Sequence, residues 1–192
     1  MLKFKVFGIS IYLSYYFLFM ITFLFLLDRT GLITCSLLAV MIHEFGHLLS
    51  MKILNINYSK IELFISSVRI TGNIYTNNVK SLILAISGPL TNFLMIPFML
   101  SNNRTLLYFG LCNLIIGAFN LLPAKNLDGG DALYHLLIIT NCKKVYLILN
   151  IVTIISISLI LFIGTFVFLS YRHNPTLIIV ALYLIILSFI KV

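Results

Sequence analysis

Two histidines and a glutamate, in the run His43-Glu44-Phe45-Gly46-His47, lie inside a long apolar stretch. Histidines at positions i and i+4 leave the same face of a helix, so both imidazoles can bind one metal ion. Glu44 follows the first histidine and lies beside that face, near a water on the metal. Zinc lowers the pKa of such a water to about 7. A carboxylate there can take the proton as the water attacks a peptide carbonyl, then pass it to the leaving amine. Gly46 removes a side chain beside the ligands, leaving room for another helix or a substrate. An ionisable group at hydrocarbon depth costs about 3 kcal/mol or more, so three within five residues point to chemistry rather than packing.

A catalytic zinc usually takes three protein ligands and keeps one position open. The chain has five acidic residues, Asp28, Glu44, Glu62, Asp128 and Asp131. A third ligand is sought in Leu122-Pro123-Ala124-Lys125-Asn126-Leu127-Asp128-Gly129-Gly130-Asp131. Pro123 breaks a helix there, and the glycines after Asp128 permit a tight turn. Asp128 or Asp131 equally fits the N-cap of a helix over 132–140, and spacing alone leaves ligand and cap both open.

The elements that must position these residues are membrane elements. Of 192 residues, 61% are hydrophobic and 9% charged, too few charges for a water-facing surface. Six apolar segments are read at 9–27, 32–54, 81–100, 105–122, 145–169 and 176–190, the second carrying the His-Glu motif. The first is too long for a signal-peptide core and lacks a small-residue cleavage site, so it is read as a retained helix. The polar stretch 55–80 holds runs from Lys60 to Ser66 and from Ile70 to Tyr75 that read as short strands or a hairpin at the membrane surface.

Ten of the thirteen basic residues fall on one side of such a topology: Lys3, Lys5, Lys52, Lys60, Arg69, Lys80, Lys125, Lys143, Lys144 and Lys191. Arg29, Arg104 and Arg172 fall on the other, which places both termini in the cytoplasm. The net charge of +8 is therefore a topological signal, not a nucleic-acid footprint. Cys35, Cys112 and Cys142 are odd in number and scattered, and read as packing residues. His135 reads as a packing or interfacial histidine and His173 as a solvated loop residue. A metal-binding scaffold or transporter would place ionisable groups along several helices, whereas Glu44 is the one carboxylate clearly deep in a segment.

The His-Glu motif in one helix, with Asn120-Leu121-Leu122-Pro123 and Leu127-Asp128-Gly129-Gly130 in another, resembles the site-2 protease family of intramembrane zinc metalloproteases. The resemblance implies that Asp128 is the third zinc ligand beside His43 and His47, with Glu44 catalytic; Asp131 has no counterpart and stays a capping residue. Ser87-Gly88-Pro89-Leu90-Thr91-Asn92 looks like the family's middle core helix. It implies that Asn92 and Asn120 lie near the active site, holding the scissile peptide or the developing oxyanion; interhelical glue is the alternative. Within the family, six segments in this order resemble the stage IV sporulation protein FB group. That group processes a sigma-factor precursor in the mother-cell membrane around the forespore and is restrained by inhibitory membrane partners. The rival reading is a general site-2 protease that cuts anti-sigma factors or remnant signal peptides.

Two departures stand out. Leu121 replaces a proline of the broader family pattern, and Asn120 to Asp128 is one residue longer than usual. The expectation is an all-α polytopic membrane protein with six transmembrane helices, a three-helix catalytic core and a β-hairpin-like surface segment. It forms one domain over 1–192 with its core at about 32–140 and no CBS or PDZ domain. It binds one zinc ion, contacts lipid, and acts on a protein substrate.

Overall fold

The computed structural model describes residues 2–6, 9–56, 60–63, 68–71, 77–171 and 176–189. The chain divides into two units, Met1–Phe119 and Asn120–Val192.

In the first unit, the alternating β-branched and aromatic residues near the start form strands β1 (Leu2–Val6) and β2 (Ile9–Leu13), paired antiparallel. Helix α1 (Tyr15–Leu27) follows, then α2 (Leu32–Ile53). Strands β3 (Lys60–Leu63) and β4 (Val68–Thr71) pair antiparallel, and β3 lies parallel to β2 with Ser10 opposite Lys60. The sheet order is β1-β2-β3-β4. Because β2 leads into α1 and β3 follows α2, their pairing returns the chain to the side of the sheet from which α1 departs. Helix α3 (Asn78–Leu94) runs on through a 3-10 turn at Ile96–Leu100, and α4 is Arg104–Asn120. The expected strand residues 64–66 and 72–75, together with Arg172 and His173, lie outside the described residues.

The first expected span, 9–27, is therefore not one helix. Its Ile-Ser-Ile-Tyr-Leu start has the period-two pattern of a strand. The 13 residues left to α1 reach about 20 Å, short of a hydrocarbon layer of about 30 Å. Among the described residues, three helical stretches are long and apolar enough to cross: Leu32–Ile53, Asn78–Leu100 and Val145–Ser170. Six were expected; α1, α4 and α7 (Thr176–Phe189) fall below that length at 13, 17 and 14 residues. Large apolar side chains face outward throughout, Met41, Phe45 and Leu94 among them, as a surface solvated by acyl chains requires.

The core of this unit is where α2, α3 and α4 meet, and small residues set the spacing. A Cβ on Gly46 would strike the Thr91 side chain and sit 2.7 Å from the Ser87 carbonyl. A Cβ on Gly110 would lie 2.6 Å from Met99, and one on Gly117 2.9 Å from the Phe93 ring. Lipid offers no hydrophobic drive between helices, so close backbone approach and interhelical hydrogen bonds must supply it. Thr91 Oγ1 donates to the Ile42 carbonyl at 3.1 Å, and the Cys35 thiol approaches the Thr105 carbonyl at 3.6 Å.

The second unit holds α5 (Asp128–Ile139), α6 (Val145–Tyr171) and α7. Its approach to α5 is a tight turn in which Asn126, at φ 68°, supplies the left-handed residue. Lys125 N–H donates to Thr153 Oγ1 on α6 at 3.1 Å, tying the turn to that helix.

Asp28 anchors the start of α2. Its carboxylate accepts from Gly31 N–H at 2.8 Å, Thr34 N–H at 2.8 Å and the Thr34 hydroxyl at 2.6 Å. The Thr34 hydroxyl, then the Thr34 amide, hold its pKa below the ordinary carboxylate range. A carboxylate with a lowered folded pKa stabilises the fold above its unfolded pKa and loses that contribution as pH falls through the folded one. Asp28→Ala should therefore lower the thermal midpoint of the detergent-solubilised protein at pH 7. The gap to wild type should close at pH values below the ordinary carboxylate range; a gap unchanged there would count against the cap.

Candidate metal centre

His43 and His47 both lie on α2, one turn apart, and the structure orients each ring from its far nitrogen. His43 is buried at 6% exposure, and its Nδ1 lies 2.7 Å from Asn92 Oδ1 on α3. His47 Nδ1 lies 2.9 Å from the Leu84 carbonyl, also on α3, with Ser87 Oγ at 3.4 Å. The Leu84 carbonyl is an acceptor only. Asn92 commits its Nδ2 to donating elsewhere, to the Ala39 carbonyl at 2.9 Å and Asn113 Oδ1 at 2.8 Å, so its Oδ1 accepts from His43. Both Nδ1 atoms thus carry the proton and donate, and both Nε2 atoms present lone pairs.

Those two Nε2 atoms are 3.2 Å apart. Two unprotonated nitrogens at that distance repel unless something positive lies between them. Ligand bonds of about 2.05 Å at the tetrahedral angle would put two nitrogens about 3.3 Å apart on one zinc. The pair therefore fits a shared metal ion, with the tautomers and second partners that metal-binding histidines carry.

Helix α3 comes this close because residue 88 is glycine. A Cβ there would collide with the imidazole of His47 and stand 2.8 Å from Cε1 of His43. Pro89 follows inside the helix, where its missing N–H removes a main-chain bond in the turn facing the histidines. Gly46, between the two ligands on α2, meets α3 in the same way, so its room is taken by a neighbouring helix.

Glu44 lies on α2 next to His43 and is half-buried. Asn120 is the last residue of α4 and half-buried. Asn92 is fully buried, and both ends of its amide are engaged by α2 and α4. A bond to substrate would require exchanging one of these. Asn113, also fully buried, and the Leu84 carbonyl are parts of the site that sequence reasoning missed. The signal for Asn113 was an amide within an apolar helix, which needs a partner wherever water is excluded. No sequence signal marks one main-chain carbonyl among many.

Asp128 is the first residue of α5, with Leu127 at the N-cap and no side chain capping there. The capping role expected for Asp131 does not occur: the helix begins four residues earlier than read, and Asp131 lies in its first turn. Gly129 and Gly130 do not serve as left-handed turn residues either. Both are buried, and a Cβ on them would collide with the carbonyl oxygens of Leu121 and Ala124 respectively. They let the first turn of α5 lie flat against the preceding turn, which fixes where Asp128 emerges. His135 lies further along α5 against the Tyr134 ring, and burial holds its pKa below the ordinary imidazole value.

The geometry predicts that Gly88→Ala, which drives a methyl group into both imidazoles, will weaken Zn2+ binding about 10- to 100-fold in a chelator competition. Unchanged affinity in that variant would mean that the two rings are not ligands in this arrangement.

No protein-family model and no curated protein matches the sequence. Among solved structures, the chain is similar to the site-2 protease from Methanocaldococcus jannaschii, at 30% identity and a TM-score of 0.62, covering 95% of this chain and 91% of that one. That likeness extends over nearly the whole length, and it joins a histidine pair poised for one metal ion inside an apolar helix: this chain belongs to the site-2 protease family.

Proposed function

We propose that this protein is a zinc endopeptidase that cuts its substrate within or next to the membrane, with His43, His47 and Asp128 as the metal ligands. The observation that carries the reading is the pair of Nε2 atoms 3.2 Å apart with both Nδ1 atoms held by carbonyl oxygens. Asp128, the third ligand that the family resemblance implies, would complete with the two histidines a His-His-Asp donor set suited to zinc. Two neutral imidazoles and one carboxylate leave a net single positive charge on a bound Zn2+, which suits Lewis-acid work.

When bound, zinc would polarise the scissile carbonyl and acidify a water near neutral pH. Glu44 takes the proton of the attacking water and delivers it to the departing amine. Its place next to His43, on the same helix, sets that proton acceptor close to the ligands without a second element. A helical substrate must first unwind, because its carbonyls are shielded by their own hydrogen bonds. The edges of the four-stranded sheet, β1 and β4, suit an unwound substrate, which could add as a further strand.

The proposal extends to topology. Ten of thirteen basic residues favour a cytoplasmic amino terminus, and the β2–β3 pairing supports placing strands β1 to β4 on one side. Helices α4 and α7 and the short α1, with the residues that flank them, would complete six crossings with both termini in the cytoplasm, α1 where the bilayer thins locally. Through the resemblance of its motif order to the stage IV sporulation protein FB group, the proposal takes a sigma-factor precursor as substrate, in the membrane around a forespore and under inhibitory membrane partners. Anti-sigma factors or remnant signal peptides are the alternative substrates.

Co-expression with a sigma-factor precursor tests the whole reading. Glu44→Gln should cut processing about 10²- to 10⁴-fold while zinc content holds. His43→Ala and Asp128→Ala should each lose zinc. Equal processing by wild type and Glu44→Gln would refute the enzymatic role, and zinc retained in both ligand variants would refute the ligand set. Deleting residues 61–75 should impair cleavage without loss of zinc if the sheet docks substrate.

A further inference from the structure

Behind His43 the polar network runs deeper than the residue that touches the ring. Asn92 and Asn113 are both wholly buried, on α3 and α4, with apolar residues around them. The bonds form one directed chain. Asn113 Nδ2 donates to the Phe109 carbonyl at 2.8 Å, one turn back on its own helix, which leaves its Oδ1 pointing toward α3. That oxygen accepts from Asn92 Nδ2 at 2.8 Å, and Asn92 Oδ1 accepts from His43 Nδ1 at 2.7 Å.

An amide can turn over by half a rotation, exchanging its oxygen for its nitrogen. Were Asn92 reversed, its Oδ1 would face the Ala39 carbonyl and Asn113 Oδ1, acceptor against acceptor, and its Nδ2 would face His43. His43 would then have to accept at Nδ1 and carry its proton on Nε2, where no metal could bind. Ala39 alone holds the amide less firmly, because within α2 its carbonyl is also the i−4 acceptor for the main-chain N–H of His43. In a water-excluded site an unpaired donor or acceptor is costly, so a buried acceptor at residue 113 weighs on the choice.

We propose that Asn113 is a positioning residue for the metal centre: through Asn92 it selects the His43 tautomer and ring orientation that offer Nε2 to the metal. This rests on the reading of His43 as a metal ligand. It also gives α4 a part in metal binding, although in this scheme Asn113 touches neither the metal nor the ligand.

The test uses the full chain in detergent, with Zn2+ affinity from chelator competition, the absorption spectrum of the Co2+-loaded protein, and the unfolding midpoint of the metal-free protein. Asn113→Leu, close in size but without an acceptor, should weaken Zn2+ binding about tenfold or more and alter the Co2+ bands. Asn113→Gln, which keeps both an acceptor oxygen and an N–H donor, should remain closer to wild type than Asn113→Leu. Asn92→Ala combined with Asn113→Leu should lose no more affinity than Asn92→Ala alone, because the second residue acts through the first. If Asn113→Leu does not fold, Asn113→Ala replaces it in the same comparison. A lower unfolding midpoint with Zn2+ affinity and Co2+ spectrum unchanged would assign Asn113 to packing and overturn the proposal, as would additive losses in the double variant. Wild-type protein that takes up no Zn2+ would instead overturn the metalloprotease reading and this proposal with it.

Discussion

The close approach of α2 and α3 is the constraint on which the metal-binding face depends. Two helices packed at ordinary distance have room between them for side chains on both. Here Gly46 on one and Gly88 on the other give up that room, and the space goes to two imidazoles and their partners. The acceptors that orient the histidines, the Leu84 carbonyl and Asn92, are both on α3 and within hydrogen-bond reach only at this separation. The same approach holds the helices together, since lipid contributes no hydrophobic attraction between them and short-range packing must. Stability and ligand geometry thus share one set of contacts.

The two ligands are held by different means. His47 is bonded to main chain, which moves only if α3 moves. His43 is bonded to a side chain whose own orientation is set by another helix. In water such a relay would be worth little, because each bond would compete with solvent. Inside a bundle solvated by acyl chains the alternative to each bond is an unsatisfied group, so a linear network of two amides and one imidazole, fixed by the Ala39 and Phe109 carbonyls, has one coherent setting.

The chemistry was legible before the structure wherever it depended on residue type at short spacing. His43, Glu44 and His47 announce themselves because charge is expensive in hydrocarbon and the i, i+4 spacing shares a face. Span counting was less reliable, since apolar content alone does not separate a strand from a helix: residues 9–13 are as hydrophobic as the helix that follows them, and only their alternation hints at the division. Gly129 and Gly130 show a second limit. Sequence suggested glycines used for their freedom at positive φ, whereas here they serve by lacking a side chain against the Leu121 and Ala124 carbonyls, and Asn126 makes the turn. Which use applies depends on what lies opposite, and a single sequence does not say. Asn113 shows a related limit: an amide in an apolar helix signals that it needs a partner, but the sequence does not say which residue on another helix supplies it.

The parallel pairing of β2 with β3 has a consequence in time as well as in space. Ser10 meets Lys60 across fifty residues of chain, and those residues include both α1 and α2. At a synthesis rate of about 5–20 residues per second, β2 leaves the ribosome roughly 3–10 s before its partner exists. During that interval β1 covers one edge of β2 while the other stays open, a site for mispairing until β3 has been made. The sheet therefore closes late: it can form only once α1 and α2, the second carrying the histidines, have both been made.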